Sequence, residues 1–173
     1  MLLDLARLLL FPAVVIFAAT IDVLTMRIPN WVSLILIAGF FVLALAGGMP
    51  PYDMLMHAAA GAAVLAAGIL CFSMGWMGGG DAKVAGAVAL WFGFSHIMEF
   101  LVFASFFGGV LTLLILQLRR WPLPYPLAGQ AWLVRLQTAR GAPYGVALMI
   151  GALLVYPDTE WMKAIDLAHL VIR

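Results

Sequence analysis

Residues 54–74 read MLMHAAAGAAVLAAGILCFSM, an apolar run without a single Asp, Glu, Lys or Arg. A helix needs about 20 apolar residues, each rising about 1.5 Å, to cross the hydrocarbon core of a bilayer. Because lipid offers no hydrogen bonds to the backbone, such a run is stable there only when its backbone is satisfied internally, as in a helix. This stretch therefore predicts a membrane-spanning helix.

The composition of the whole chain agrees with that prediction. Of its 173 residues, 66% are hydrophobic and 10% are charged, whereas a soluble domain has about 25% charged residues. So few charges cannot cover a water-facing surface, and the sequence predicts an integral membrane protein.

The formal net charge of +1 leaves no concentrated basic face, which excludes nucleic acid as a partner. The single cysteine, Cys71, excludes an internal disulfide and a cysteine-based metal site.

Further apolar runs predict an all-α, polytopic bundle of about six transmembrane helices in one domain, residues 1–173. Proline and glycine breaks separate the runs, because these residues start or end helices. The last stretch alternates charged and apolar residues at helical spacing, which predicts an amphipathic interfacial helix with Asp158 as its N-cap. The predicted spans are 5–21, 31–46, 54–74, 83–94, 97–118 and 143–156, and the amphipathic tail is 158–173.

The charged residues predict an orientation. With six spans, the connections after spans one, three and five share one side and hold six Lys or Arg residues, against three on the other side. The positive-inside rule puts the first group in the cytoplasm and the N-terminus outside. Of the eight acids, only Asp22 and Asp81 fall on the inner side. This topology brings two carboxylates to a similar depth at one membrane face.

Two such carboxylates favour a specific chemistry. An ionised side chain at the bilayer centre costs roughly 2.5–3.5 kcal/mol, so acids in spans usually mark function. In an aspartyl dyad the two acids share a proton: the ionised one activates a water, and the protonated one polarises a peptide carbonyl. The structural alternative is interfacial pairing, of Asp22 with Arg27 and of Asp81 with Lys83 or a helix N-terminus.

The glycine triplet before Asp81 fits the same chemistry. Gly78, Gly79 and Gly80 would let a substrate backbone approach closely, or would admit non-helical dihedrals. The dyad needs no metal or cofactor. The three histidines have no partner at ligand spacing, so each is predicted to be structural or solvated; they are His57, His96 and His169.

Three short motifs carry a resemblance to a known family. Asp22 is followed by RIPN at 27–30, then GGGDAK at 78–83, then PYG at 143–145. In that order, over nearly the whole chain, they resemble the type IV prepilin peptidases, membrane aspartyl proteases with a Gly-x-Gly-Asp signature. The resemblance implies Asp22 and Asp81 as the catalytic pair and Gly78 and Gly80 as the signature glycines. The residues that would support the motifs are Arg27, Pro29, Asn30, Lys83, Pro143, Tyr144 and Gly145.

The resemblance also implies a substrate and a location. Long members of the family carry a cytoplasmic domain with two zinc-binding Cys-x-x-Cys pairs between the first two spans, and they N-methylate the product. This chain has only residues 23–30 there, so it resembles the short, peptidase-only form of tight-adherence (Flp-type) pilus systems. The implied substrate is a prepilin or pseudopilin with a hydrophobic N-terminal helix. Cleavage would follow a glycine at the cytoplasmic face of the bacterial inner membrane.

The residues alone leave alternatives open. A presenilin-like protease that cuts within the bilayer shares the Gly-x-Gly-Asp element. A small proton-coupled transporter would use the same aspartates as proton carriers, although the chain shows no inverted repeat of broken helices. An assembly scaffold without chemistry is the third alternative.

Two further features predict contacts. The arginine cluster 119, 120, 135 and 140 predicts contact with anionic lipid headgroups. Small residues at helical spacing in spans three and four predict close helix packing and leave a homo-oligomer open. They are Ala59, Gly61, Ala63, Ala67, Gly68, Ala85, Ala89 and Gly93.

Overall fold

The computed structural model describes residues 1–121, 129–139 and 141–165, and no strand occurs among them. The all-α class is confirmed. A 3₁₀ turn at Tyr156–Asp158 connects the last two helices. The helices are α1 (Leu2–Thr25), α2 (Asn30–Ala46), α3 (Pro51–Ser73), α4 (Gly79–Arg120), α5 (Ala131–Thr138), α6 (Gly145–Val155) and α7 (Glu160–Lys163).

The outer surface of the bundle is apolar. Three helices are long and apolar enough to cross a membrane, namely α1, α3 and α4, while α2 and the stretch Gly145–Asp158 are shorter apolar helices. On α2, Leu34, Val42 and Leu45 are exposed although Leu36 and Phe40 already fill the core. Such a surface is stable against lipid rather than water. The chain is a membrane protein, and six spans remain a prediction.

Predicted spans four and five form one element, α4, which breaks at Gly93 with φ 59° and ψ −174°. The predicted boundary at residues 95–96 is therefore wrong, because a single glycine makes the break. Glycine populates positive φ readily, and a Cβ at this position would lie 3.0–3.2 Å from the His57 ring. Both backbone and packing thus require glycine here.

The chain reverses direction at Gly93. Arg7 and Asp22, both on α1, line two different cavities and lie about 22 Å apart along the helix, so the cavities mark opposite ends of the bundle. Asp81, near the start of α4, and Thr112, near its end, line the Asp22 cavity, whereas Gly93 lines the Arg7 cavity. The two halves of α4 therefore form a helical hairpin.

The first half of α4 is the central helix of the bundle. Every residue from 81 to 93 except Lys83 is buried. Gly61 and Gly68 bring α3 against it: a Cβ at Gly61 would lie 2.9 Å from the Gly86 carbonyl oxygen, and one at Gly68 would lie 2.9 Å from the Ala82 Cβ. Small residues therefore give the predicted close packing, whereas Ala63 and Ala67 of the same pattern are exposed.

Side chains bond to the backbone that precedes the break at Gly93. The Trp161 indole Nε1 donates to the Trp91 carbonyl oxygen at 2.8 Å, and His57 Nδ1 lies 2.8 Å from the Leu90 carbonyl oxygen. A helix break leaves such carbonyls without intrahelical donors, so these bonds stabilise the hairpin.

The predicted tail needs a correction. The helix α7 begins at Glu160, with Thr159 at the cap position, so Asp158 as N-cap is wrong. Trp161 and Ile165 are buried, because the Trp161 indole packs on Trp91. This part of the tail therefore packs into the bundle instead of lying flat on the membrane. Residues 166–173 lie outside the described part of the chain.

The connection between predicted spans five and six contains α5. This helix has eight residues, too few to cross a membrane. Arg119 donates to the carbonyl oxygens of Leu136 and Gly141 at 2.9 and 2.7 Å. Arg135 donates to the Leu24 carbonyl oxygen at 2.8 Å. Two of the four arginines predicted to contact lipid thus attach α5 to α4 and α1. Arg120 is exposed, and Arg140 lies outside the described residues.

Candidate active site

Asp22 lies on the last turn of α1 and is 5% exposed. Met26 ends the helix in a left-handed conformation, and its N–H donates to the Asp22 carbonyl oxygen at 2.7 Å. The Asp22 carboxylate Oδ2 accepts a hydrogen bond from the Gly145 N–H at 2.8 Å. Gly145 is the first residue of α6, where backbone N–H groups lack intrahelical acceptors. This one hydrogen bond thus gives the first N–H of α6 an acceptor and fixes the orientation of the Asp22 carboxylate.

The PYG motif forms the support for that bond. A Cβ at Gly145 would lie 2.9 Å from Asp22 Oδ2 and 3.0 Å from Asp22 Cβ, so the close approach requires glycine. The Tyr144 hydroxyl lies 3.1 Å from Thr112 Oγ1, and a Cβ at Gly108 would lie 3.2 Å from the Tyr144 ring. Pro143 is buried. The motif therefore holds the start of α6 between Asp22 and the second half of α4.

Asp81 lies in the first turn of α4 and is 8% exposed. Its carboxylate turns back on Gly78, where a Cβ would lie 2.7 Å from Oδ2. Gly78 precedes the helix in an extended conformation, with φ −72° and ψ 144°, whereas Gly79 and Gly80 are the first helical residues. The expected non-helical dihedrals are therefore confined to Gly78, and the positive φ of this loop is at Gly75. The triplet is needed for its lack of side chains, since every Cβ added there meets a neighbour within 3.3 Å.

The RIPN motif connects the other two motifs. Ile28 lies 3.3 Å from a Cβ built on Gly80, and its Cδ1 lies 3.2 Å from one built on Gly145. Pro29 caps α2 in an extended conformation with φ −64°, which suits its ring. Side chains at 28 and 29 thus set the turn that carries α1 into α2 beside the glycine triplet.

The charged members of these motifs do not form the predicted alternative ion pairs, although Asp81 does lie in the first turn of α4, as the helix N-terminus alternative predicts. Lys83 Nζ donates to Asn30 Oδ1 at 2.8 Å instead of pairing with Asp81. Arg27 is exposed and lines the cavity. No ion pair of Asp22 or Asp81 occurs among the described residues.

One cavity of about 820 Å³ contains both aspartates. Its volume falls in the range of ligand sites, about 300–1,000 Å³. Asp22 and Asp81 are the acidic residues among its described lining, which also includes Arg27, the glycine triplet and Tyr144. The arrangement places two buried carboxylates, a backbone donor and glycine-lined open space in one chamber, which is the composition required for acid–base attack by water on an amide.

Among residues 1–121, 129–139 and 141–165, no group of three or more His, Cys, Asp or Glu could hold a metal ion, and metal-free chemistry stays a prediction. Sequence reasoning did not single out Ile28, Thr112 or Arg119 as site residues, although all three line the cavity. Ile28 lies inside the RIPN motif, and Arg119 belongs to the arginine cluster predicted to contact lipid, whereas Thr112 carries no sequence signal.

Comparison with known proteins identifies the family. A profile of the type IV leader peptidase family matches residues 9–113, a stretch that includes Asp22, the RIPN motif and Asp81. Neither the curated proteins nor the solved structures gave a match. Because the matched stretch covers more than half of the 173 residues, the chain belongs to the type IV leader peptidase family and is a membrane peptidase of that kind.

Proposed function

We propose that the protein is an aspartyl endopeptidase that removes the leader peptide of type IV prepilins of the Flp type. The observation that carries the proposal is that Asp22 and Asp81 are both buried and both line one cavity. Burial of acids in a membrane protein is energetically costly, so acids in such positions usually mark a function. The family match supports the substrate class.

The proposed reaction is hydrolysis with the two carboxyl groups in complementary protonation states. The ionised carboxylate takes a proton from a water, whose oxygen attacks the carbonyl carbon of the scissile peptide bond. The protonated carboxyl donates a hydrogen bond to the carbonyl oxygen. The nitrogen of the tetrahedral intermediate then receives the proton that the first carboxylate took from the water, the carbon–nitrogen bond breaks and the amine leaves. The products are a leader with a new carboxylate and a pilin with a new amino terminus.

The substrate would approach along the loop before α4. Met74 and Trp76 are exposed beside the glycine triplet, so an apolar substrate helix lying in the bilayer would meet an apolar surface. The cleavage site at the end of that helix would reach the cavity at the membrane face, which we assign to the cytoplasm of an inner-membrane protein. The connection between α1 and α2 is only residues 26–29, so we propose peptidase activity without N-methyltransferase activity.

A prepilin-like peptide assay tests the proposal. Purified protein in detergent is incubated with a peptide containing a basic leader, a glycine and an apolar segment, and products are identified by mass spectrometry. We expect one cut after the glycine, and a loss of at least about 100-fold for Asp22→Asn and for Asp81→Asn, as for removal of general acid–base groups. The matched control is Asp53→Asn, an exposed acid at the other end of the bundle, which we expect to cleave normally.

Other outcomes would redirect the assignment. Normal turnover by either Asn variant would remove that aspartate from the catalytic pair. Cleavage inside the apolar segment would favour the presenilin-like alternative. An intact peptide, together with Asp-dependent proton flux in liposomes, would favour the transporter. Methylation of the product from S-adenosylmethionine would contradict the peptidase-only form.

A further inference from the structure

A second cavity lies at the opposite end of the bundle from Asp22 and Asp81. Its volume is about 700 Å³, and its lining comes from the start of α1, the end of α2, the start of α3, the Gly93 break and α7. None of the proposed peptidase residues lines it. The family chemistry therefore leaves this chamber unexplained.

Arg7 lines this second cavity with a nearly buried guanidinium. Its side chain is 12% exposed, and Nε is buried without a hydrogen-bond partner in the described part of the chain. Its ion pair with Asp4 is long, because Nη1 and Oδ1 are 3.8 Å apart, beyond hydrogen-bonding distance. The guanidinium also lies against Gly47, where a side chain would collide with it. Arg7 is thus held in place with unused donors.

An arginine in this state favours an anionic ligand. A guanidinium stays charged and presents five N–H donors in a fork that matches the geometry of carboxylate and phosphate groups. Leaving a buried charged donor unpaired is costly. An anion with two acceptor oxygens in the cavity would accept hydrogen bonds from the two terminal nitrogens of the Arg7 guanidinium.

The surroundings of the cavity match a lipid source. Tyr52 and Leu55 of α3 and Phe94 and Met98 of α4 are exposed next to lining residues, so acyl chains would find an apolar surface beside the chamber. Aromatic side chains such as Tyr52 are typical of the headgroup level of a membrane.

Two acids lie on the rim of the cavity and must be accounted for. Glu160 pairs with Lys163 Nζ at 3.2 Å, which offsets its charge. Asp53 is exposed, so water at the membrane face screens it. Neither acid neutralises Arg7, whose ion pair is with Asp4.

We propose that this cavity binds a phosphate ester, held by forked hydrogen bonds from Arg7, and that the membrane supplies it as a phospholipid headgroup. The site is separate from the peptidase chamber and does not depend on the proposed function. It would anchor the N-terminal end of α1 to the leaflet opposite the aspartates.

Thermal unfolding in detergent tests the proposal. Wild type, Arg7→Gln, Arg7→Lys and Arg120→Gln are titrated with a short-chain phosphatidylglycerol, with diacylglycerol of the same chains and with inorganic phosphate. Arg120 is exposed at the C-terminal end of α4, where contact with headgroups is also predicted, so Arg120→Gln measures the loss of a surface arginine that lines neither cavity. We expect the phospholipid to raise the Tm of wild type and Arg120→Gln. We expect the apparent affinity to fall about tenfold or more in Arg7→Gln, with Arg7→Lys in between because it keeps the charge without the fork.

Each outcome decides a part of the proposal. Equal stabilisation by diacylglycerol, or an unchanged phospholipid response in Arg7→Gln, would overturn it. A matching response to inorganic phosphate would support the phosphate site and overturn the membrane as its source. Should Arg7→Gln fail to fold, Met56→Trp narrows the chamber while Arg7 remains, since Met56 lines it. That variant should weaken the phospholipid response, and a full response would contradict the site.

Discussion

The backbone N–H of Gly145 donates a 2.8 Å hydrogen bond to the Asp22 carboxylate, across 123 positions of sequence. This bond joins the end of α1 to the start of α6 and fixes the direction of one of the two buried acids. Since a hydrogen bond to a charged group is stronger than a neutral one, the contact couples the local geometry of α6 to the proposed chemistry.

Replacing Gly145 by alanine should therefore damage the site. The new Cβ would lie 2.9 Å from Asp22 Oδ2, so the carboxylate must move and its hydrogen bond must lengthen. We expect kcat/KM to fall by at least about tenfold, the equivalent of about 1.4 kcal/mol, in the peptide assay. Gly109→Ala is the control, because a Cβ there meets nothing within 4 Å; equal activity of the two variants would contradict the role of the bond.

The Lys83–Asn30 bond should be measurable as a coupling between two motifs. Lys83 Nζ and Asn30 Oδ1 are 2.8 Å apart on the exposed surface, where even a full ion pair contributes only about 0.2–1 kcal/mol. We expect a coupling free energy in that range from unfolding of Lys83→Met, Asn30→Ala and the double variant. Additive effects of the two single changes would show that the bond contributes nothing.

Tyr144 should stabilise the start of α6 through its hydroxyl. Removing the partner of Thr112 Oγ1, at 3.1 Å, should lower the free energy of unfolding by about 1 kcal/mol in Tyr144→Phe. Thr112→Val also removes the bond from Thr112 Oγ1 to the Gly108 carbonyl oxygen at 2.8 Å. Because the bond to Tyr144 is lost in both single variants, the effect of the double variant should be smaller than the sum of the two. Full additivity in the double variant would disprove the shared bond.

Trp161 should contribute strongly to the free energy of unfolding, although it lies in the last described segment of the chain. It is buried against Trp91 and bonded to the Trp91 carbonyl, so Trp161→Ala should cost about 3–5 kcal/mol. Trp121→Ala is the control, because Trp121 is 67% exposed and should change the free energy of unfolding by less than about 1 kcal/mol. A small effect at Trp161 would instead agree with a tail lying on the membrane surface.

Hydrophobicity predicts the fold class well, because a chain in lipid must satisfy its backbone hydrogen bonds internally and therefore forms helices. The apolar runs give α1, α2 and α3 to within a few residues at each end. The same runs cannot locate the turn at Gly93, because a positive φ leaves no trace in hydropathy and the polar pair Ser95–His96 is the more visible break. An amphipathic pattern likewise does not show whether the apolar face that includes Trp161 packs against lipid or against the rest of the protein.

The sequence predicts those site residues that lie within short motifs, but not the contacts that distant segments make with one another. The order of the charged residues puts Asp22 and Asp81 at one end of the bundle, and both line one cavity. The contact of Ile28 with Gly80 and Gly145, and the bond from Thr112 to Tyr144, depend on how three helices are aligned in space. No single segment carries that information, so the sequence does not reveal these residues' contribution.

The enclosure of residues 81–93 by the other helices has a consequence for how a substrate enters. The segment that carries Asp81 has almost no free face, so it cannot slide without disrupting its neighbours on every side. Any rearrangement that admits a polypeptide would then fall on peripheral pieces, such as the short α5 bound through Arg119 and Arg135. We expect Asp81 to keep its position while a substrate enters.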